Sequence, residues 1–431
     1  MYQLTLISDC ITMEIPRDRY LDRLVARKHN GMVKIITGVH GCGKSYLLFD
    51  LFREHLVRSG VDDSHIIAIA LDSEENEEYR DVKKLHDRIL SSIGDDSMHY
   101  ILLDGIRLVK GFEAMINSLL RNDNVDIYVT GSNSGSLSSD VITEFRGRGD
   151  EINVRPLSFS EFLRVYEGDA MDAMDAMDEY MDRGGLPALA RLDNKEERRT
   201  YLDGIVEACL RDVREFETIR RPELPGDLFG ILSSTSCSLV NPSVIRDALL
   251  SREGVSADEE TVSRYIKFLE NAYLFEEANR YDIKGRKYIG ALEKYYPVDH
   301  GIANAGLDFR RISDRPHIME NIVYNELRSR GYEVDIGVVR FRRMIDGKMT
   351  QITTEVDFIA RKGSRTTYVQ SAYRIDDPDK REQELRSLMK INDFFRKVVI
   401  VGDSMKPNMD ENGILCIGLM QFLTDENSLD A

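Results

Sequence analysis

The stretch GVHGCGKS at 38–45 constrains the fold of this chain more than any other feature. It satisfies the pattern G-x-x-x-x-G-K-[ST]. The apolar run MVKIIT precedes it at 32–37, and SYLLFDLFREHL follows at 45–56 with helical apolar spacing. A strand, a glycine-rich turn and a helix in this order are typical of a loop that cradles phosphate groups. A chance glycine turn is the alternative reading.

The residue types in this stretch suit a nucleoside triphosphate held with Mg²⁺. Its glycines allow a tight turn and let backbone N–H groups approach phosphate oxygens closely. We expect the Lys44 ammonium to reach the β- and γ-phosphates of ATP, and the Ser45 hydroxyl to bind Mg²⁺. The predicted nucleotide contacts are Gly38, Gly41, Cys42, Gly43, Lys44, Ser45 and Tyr46.

A carboxylate follows a second apolar run, YILLDGIRL at 100–108. Four apolar residues run into Asp104, as in a buried strand that delivers a carboxylate to the Mg²⁺ of a nucleotide. A site that hydrolyses nucleotides usually has a second carboxylate immediately afterwards, but this chain has Gly105. The sequence therefore leaves open an active ATPase, a lapsed one, or another function.

Two further segments offer candidates for the γ-phosphate. VTGSN ends another apolar run, and we expect Asn133 to hold the attacking water, with Ser132 and Ser134 as substitutes. FRGRGDEINV places Arg146 and Arg148 before the next run. An arginine there can stabilise transition-state charge on a neighbouring subunit, although a surface salt bridge is an equal alternative.

Strand-like and helical segments alternate in the first part of the chain, which predicts an α/β fold with a mainly parallel sheet. A chain of 431 residues exceeds what one hydrophobic core usually serves. We predict an ATP-binding domain at 1–165, a helical lid and winged-helix segment at 166–300, a small α/β domain at 301–421 and a flexible tail at 422–431.

The middle segment reads as helices followed by a hairpin. AMDAMDAMDEYMDR at 170–183 is read as an amphipathic helix that packs its methionines, with a methionine-rich partner surface as the alternative. Two more helical patterns and a hairpin around Lys284–Gly285 suggest a winged helix that contacts DNA. The same segment could instead pack as a lid over the nucleotide. The cations suited to DNA phosphates are Arg264, Lys267, Lys284, Arg286 and Lys287.

Composition limits the class of protein. The formal net charge of −17 argues against bulk electrostatic coating of nucleic acid, but not against a local basic face. No apolar run approaches the roughly 18–20 residues that span a bilayer, and the N-terminus lacks the pattern of a secretory signal. Five scattered cysteines fit reduced thiols. We expect a cytoplasmic protein without a membrane partner.

Taken together, these motifs resemble a known family. The chain looks like the prokaryotic AAA+ P-loop ATPases that carry a winged-helix segment and a C-terminal restriction-endonuclease-like domain of unknown function. GVHGCGKS and ILLD are broadly shared P-loop features. The more specific matches are VTGSN with FRGR, RPLSFSEF, GGLP, RDVREFETIRR, TVSRYIKFLENAYL, RYDIKGRKY, KYYPVDHGI, MENIVYNELRSRGYEV, TEVDF and YVQSAY.

The resemblance implies an AAA+ type sheet, binding of ATP and Mg²⁺, and self-association into a homo-oligomer. Family members generally have Asp-Glu where this chain has Asp104 and Gly105, and the glutamate is the presumed base. General-base help of about 10²–10⁴-fold would then be absent. We therefore hypothesise slow hydrolysis and a nucleotide-dependent switch.

The resemblance also implies a metal-binding nuclease site in the last domain, with Glu320 and Asp357 as ligands. Gln370 and Ala372 stand where that fold usually has an acid and a lysine, which puts metal affinity and DNA cleavage in doubt. The sequence leaves two alternative functions open: a DNA-binding regulator with a mainly structural nucleotide site, and an ATP-gated nuclease.

Overall fold

The first half of the chain is built on a five-stranded parallel sheet. This computed structural model describes residues 15–131, 145, 147–166, 173–192, 194–216, 219–307, 314–345, 347–375, 377–403 and 405–430. The strands are β1 (Val33–Thr37), β2 (Ile66–Ala70), β3 (His99–Asp104), β4 (Val125–Gly131) and β5 (Gly149–Asn153), in the order β2-β3-β4-β1-β5. Every pairing is parallel, which confirms the predicted α/β class.

Both faces of this sheet are covered. Successive strand residues point to opposite sides, so each face presents apolar side chains to the elements packed on it. Ile35 packs in one apolar cluster and Ile36 in another. The covering helices are Asp18–Ala26, Lys44–Tyr46 continuing through a π-helical stretch Leu47–Phe52 into Arg53–Arg58, Val82–Ser92 and Phe112–Leu119, with 3₁₀ turns at Asp63–His65, Glu74–Arg80 and Ile106–Leu108.

The middle of the chain is helical, as predicted. In the methionine repeat, Met177 and Met181 are buried while Met174 is half-exposed, which confirms the packing interpretation for the first two. The Asp258 carboxylate caps its helix by accepting from the N–H of Thr261 at 2.7 Å. The helices are Phe159–Tyr166, Ala173–Arg183, Lys195–Phe216, Leu224–Ser234, Pro242–Glu253 and Glu259–Asn271, with a 3₁₀ turn at Pro187–Arg191.

A nine-stranded mixed sheet forms the second half, in the order β13-β14-β12-β11-β10-β9-β7-β8-β6. Its strands are β6 (Leu239–Val240), β7 (Phe275–Asp282), β8 (Lys287–Pro297), β9 (Glu333–Ile345), β10 (Lys348–Lys362), β11 (Arg365–Ala372), β12 (Arg396–Val401), β13 (Asn408–Met409) and β14 (Ile414–Gly418). The expected hairpin is present as β7 and β8. β7 also pairs in parallel with β9, so backbone hydrogen bonding crosses residue 300. The domain boundaries stay predictions.

Four helices accompany this sheet: His300–Ala305, Arg315–Ser329, Pro378–Met389 and Leu419–Thr424. Arg315–Ser329 contains the first part of the motif MENIVYNELRSRGYEV. In the described part of the chain, no helix has both the length and the apolar character that crossing a membrane requires.

The predicted flexible tail is wrong for residues 422–430, which pack on the rest of the protein. Leu423 and Leu429 are buried. The Arg330 guanidinium donates to the backbone oxygens of Phe422 and Glu426. This packing could not be predicted from the sequence, because the tail has few apolar residues and the arginine that binds it, Arg330, lies almost a hundred positions earlier.

Candidate nucleotide site and C-terminal carboxylate cluster

The glycine-rich loop follows β1 at the carboxyl end of the parallel sheet. Gly38 and Gly43 have φ angles of 141° and 98°, a region that side chains rarely adopt. A Cβ atom on Gly38 would also lie 2.2 Å from the backbone oxygen of Val154, just beyond β5. The loop therefore depends on glycine for its conformation and for its close contact with the neighbouring chain.

Lys44 and Ser45 open the helix that follows this loop. The Lys44 ammonium donates to the backbone oxygens of Gly38 at 2.8 Å and Val39 at 2.9 Å, while Ser45 is exposed. A bound phosphate would compete with the carbonyl oxygens of Gly38 and Val39 for the Lys44 ammonium. The positive end of the helix dipole attracts the phosphate and so favours this exchange of partners.

Cys42 and Tyr46, two other predicted contacts, have side chains directed into the protein. Cys42 is fully buried, and Tyr46 packs against two apolar clusters. Any contact from Cys42 to a phosphate would therefore come from its backbone N–H rather than its thiol. The nucleotide-binding role of both residues stays a prediction.

Asp104 lies at the end of β3 with its carboxylate fixed by the adjacent strand. The Thr130 hydroxyl donates to Asp104 Oδ1, and the N–H of Gly105 donates to Thr130 Oγ1 at 2.9 Å. Asp104 is buried and Gly105 has a left-handed φ of 72°. Sequence reasoning missed Thr130, although the register Leu103–Val129 of β3 and β4 places it beside Asp104.

Of the predicted γ-phosphate residues, only Arg148 can be placed. Its Nη2 atom donates to Asn117 Oδ1 at 3.2 Å within the same chain. Asn133 and Arg146 lie outside the described residues. The roles assigned to all three, including action across a subunit boundary, stay predictions.

The helix Lys195–Phe216, within the segment predicted to contain a helical lid, packs against the glycine-rich loop through residues that the sequence did not single out. His40 Nε2 lies 2.8 Å from Asp212 Oδ2, and a Cβ atom on Gly41 would lie 2.6 Å from the Tyr201 hydroxyl. Burial raises the pKa of Tyr201 to about 12, so this hydroxyl stays protonated near neutrality. The motif RDVREF, which contains Asp212, is the feature of the sequence that could have indicated this contact.

Arginines connect the glycine-rich loop to the second sheet. Arg17 donates to the backbone oxygens of Cys42 at 3.2 Å and Arg155 at 2.5 Å. Arg155 pairs with Glu276, which also accepts from Arg328 Nε at 3.1 Å. Burial opposes the charge on Glu276, but Arg155 and Arg328 outweigh it and lower the pKa of Glu276 to about 2.

A second group of carboxylates surrounds a lysine in the nine-stranded sheet. Lys294 on β8 is buried, and its Nζ atom lies 3.1 Å from both Glu320 Oε1 and Glu355 Oε1. Tyr296 donates to Glu320 Oε1 at 2.7 Å. Burial lowers the pKa of Lys294, but Glu320, Asp357 and Glu355 together hold it above the usual value. This ammonium therefore stays charged among the carboxylates.

Asp357 belongs to the same group, in agreement with its predicted pairing with Glu320. Burial and the charge of Glu320 raise the pKa of Asp357 well above its usual range. Asp357 Oδ2 accepts from the N–H of Ser371 at 2.8 Å, and Gln370 Nε2 approaches Glu384 Oε2 at 3.4 Å. The predicted metal ligands thus lie together, but beside a protein ammonium.

Another group of side chains has the composition of a metal site. His65, Asp95 and His99 each offer a ligand atom within 4.8 Å of the others, a combination that the described part of the chain contains once. They lie at the amino ends of β2 and β3, whereas Asp104 lies at the carboxyl end of β3. This group is therefore separate from the predicted Mg²⁺ position.

Comparisons with known proteins agree with this geometry. Residues 30–163 match the family model described as an AAA domain, and residues 174–313 match a domain of unknown function, DUF8612. An uncharacterized protein of Haemophilus influenzae is 33% identical over 392 residues, covering 90% of this chain and 93% of the relative. The chain belongs to the family of that protein. The chain is also similar to an uncharacterized protein of Methanocaldococcus jannaschii, at 26% identity over 83% of this chain and 78% of the relative.

Solved structures support the fold of the family. A Walker-type ATPase of Pyrococcus abyssi superposes with a TM-score of 0.50 at 15% identity, covering 68% of this chain and 96% of the other. At this identity the likeness shows the fold alone. Together with the AAA domain match, it identifies the parallel sheet and its glycine-rich loop as a P-loop nucleotide-binding core of AAA+ type.

Proposed function

We propose that this protein binds ATP with Mg²⁺, hydrolyses it slowly and uses the bound nucleotide as a conformational switch. The main support is that the glycine-rich loop with Lys44 and the carboxylate of Asp104 lie at the same, carboxyl end of one parallel sheet. Lys44 would bind the β- and γ-phosphates, while Ser45 and Asp104 would hold Mg²⁺. Carboxylate and hydroxyl oxygens are suitable ligands for that ion.

Slow hydrolysis is supported by the position after Asp104. Gly105 offers only backbone groups where a water-activating carboxylate usually stands, and its N–H is engaged by Thr130. The switch is supported by the helix Lys195–Phe216 and by Arg17, because both contact the loop that would rearrange around phosphate. We further propose that Asn133 senses the γ-phosphate and that Arg146 or Arg148 acts in trans within a cytoplasmic homo-oligomer.

The surroundings of Lys294 argue against an ATP-gated nuclease. A divalent cation at Glu320 and Asp357 would have to displace or tolerate a buried ammonium 3.1 Å from Glu320. Repulsion between these cations opposes metal binding. We propose that the C-terminal region has a restriction-endonuclease-like fold with a structural or binding role.

Calorimetry of the full chain with Mg-ATP tests nucleotide binding. The native protein should release heat on binding, and Lys44→Ala should bind roughly 10- to 150-fold more weakly, because a charge-assisted contact contributes about 1.5–3 kcal/mol. Lys110→Ala is the matched control, since Lys110 is exposed. The proposal is wrong if the native chain gives no heat of association and Lys44→Ala behaves identically.

A further inference from the structure

A broad groove lies between the tip of the β7–β8 hairpin and the sheet formed by β9, β10 and β11. It encloses about 1220 Å³. Among the lining residues that the structure describes, Asp393 alone carries a carboxylate. The lining cations are Lys284, Arg286, Arg340, Arg342, Arg361 and Lys390. A concentration of positive charge in a chain of net charge −17 marks this groove as different from the rest of the surface.

Most of these cations are available to an external anion. Arg340 Nη1 lies 3.1 Å from Asp282 Oδ2, and Arg361 pairs with Asp335. The other four, Lys284, Arg286, Arg342 and Lys390, make no ion pair with any carboxylate in the described ranges of the chain. Two of them lie on the hairpin tip and two on the opposite wall, so an extended anion could contact both sides.

Aromatic side chains accompany this charge. Phe395 lines the groove with 48% of its surface exposed, and its neighbour Phe394 is fully exposed. The Phe395 ring makes a T-shaped contact with Tyr368, with centroids 6.1 Å apart, and still exposes about half of its surface. Lys390 lies 5.5 Å from the centre of the Phe341 ring. Burial of the exposed rings would be favourable in a complex.

We propose that this groove binds single-stranded DNA. The unpaired cations would contact successive phosphates, and Phe395 would stack on a base. Positive charge that tracks a backbone, combined with open aromatic faces, suits a single strand, because the bases of a duplex are already stacked on each other. This binding goes beyond the nucleotide switch and does not depend on Lys44.

The groove is a better candidate than the helix Glu259–Asn271, which the sequence predicted as the recognition helix. Lys267 on that helix pairs with Glu270 at 3.3 Å. Its entrance carries Asp258, Glu259 and Glu260, which would repel phosphate. Arg264 is exposed and therefore serves as a matched control outside the groove.

Fluorescence anisotropy of the full chain with labelled oligodeoxythymidine, without ATP, tests the proposal. Binding should weaken steeply with salt, with a log–log slope of about −0.7 for each phosphate contacted. Arg342→Ala should reduce that slope by roughly one such step. Phe395→Ala should weaken binding roughly 5- to 150-fold, as expected for loss of one stacked base. Arg264→Ala should leave the affinity unchanged.

Several results would overturn the proposal. They are absence of binding at low salt, equal affinity in Arg342→Ala and Phe395→Ala, loss of binding in Arg264→Ala alone, or tighter binding of a duplex or an RNA strand of the same length. All three side chains are exposed or half-exposed at the surface, so circular dichroism should show intact folds. Lys44→Ala should retain DNA binding, which separates this test from that of the nucleotide site.

Discussion

At the scale of single residues, Gly105 combines a missing side chain with a backbone that favours glycine. Its φ of 72° costs other residues about 1–2 kcal/mol. A Cβ atom there would nevertheless meet nothing nearer than Leu108 Cδ1 at 3.7 Å. The obstacle to a side chain is therefore conformational rather than steric, and the position can accept a carboxylate at modest cost to stability.

Gly105→Glu should raise the rate of ATP hydrolysis, because it supplies a carboxylate next to Asp104 that can activate water. We expect a gain of up to about 10²-fold, at the low end of general-base contributions. Phosphate release under saturating Mg-ATP measures it. Gly105→Ala is the control, since it imposes the same backbone strain without the carboxylate. Equal rates in the native chain and Gly105→Glu would show that the missing carboxylate does not limit hydrolysis.

At the scale of elements, three glutamates lie close together where the helix Glu259–Asn271 contacts the β7–β8 hairpin. Glu277 on β7 neighbours Glu293 on β8 and Glu270 on the helix, with Lys267 nearby. Burial, then the charges of Glu293 and Glu270, raise the pKa of Glu277 to about 7. Between about pH 4.5 and pH 7, Glu277 therefore binds a proton in the folded protein that it has released in the unfolded chain.

Glu277→Gln should reduce the pH dependence of stability. Because the folded pKa is raised, the contribution of Glu277 is fully present below the unfolded pKa of 4.5 and is lost as the pH rises through about 7. The native free energy of unfolding should thus fall between about pH 5 and pH 8, and fall less in the variant. Urea denaturation measures both. The exposed Glu260→Gln control should follow the native curve; parallel curves for all three proteins would refute the assignment.

The elements also show what the sequence could predict. Apolar runs and turn residues, which are local signals, predict the parallel strands, including β2 from the run IIAIALD at 66–72, and the β7–β8 hairpin. They miss the strand β14 and the helix Leu419–Thr424, although the buried run ILCIG resembles the run that predicts β3. Local signals also miss three residues of the candidate sites, because each acquires its role from a partner distant in sequence. These residues are Thr130, Tyr201 and Lys294.

At the scale of the whole molecule, Arg155 and Glu276 tie the parallel sheet to the nine-stranded one. Asn325 adds a contact, accepting from Arg155 Nη1 at 2.9 Å. The half-buried Glu276 carboxylate accepts from two guanidinium groups, those of Arg155 and Arg328, and its loss would leave the buried Arg155 without this counter-charge. The two halves should therefore unfold together.

Glu276→Ala should uncouple the two halves, because it leaves Arg155 and Arg328 facing each other without a counter-charge. Differential scanning calorimetry of the native chain should give one transition. The variant should lose about 1.5–3 kcal/mol of stability, as expected for hydrogen bonds to a charged group, and show two transitions. The exposed Glu382→Ala should resemble the native protein. A single unshifted transition in Glu276→Ala would show that these arginines do not couple the halves.

The pairing of β7 with β9 has a practical consequence for experiments on this protein. A fragment that ends near residue 300 would keep β7 without its neighbour β9, while the complementary fragment would keep β9 without β7. Each would present a row of unbonded amide and carbonyl groups, a known cause of edge-to-edge aggregation. Point substitutions in the intact chain, rather than truncations, are the way to assign roles to its parts.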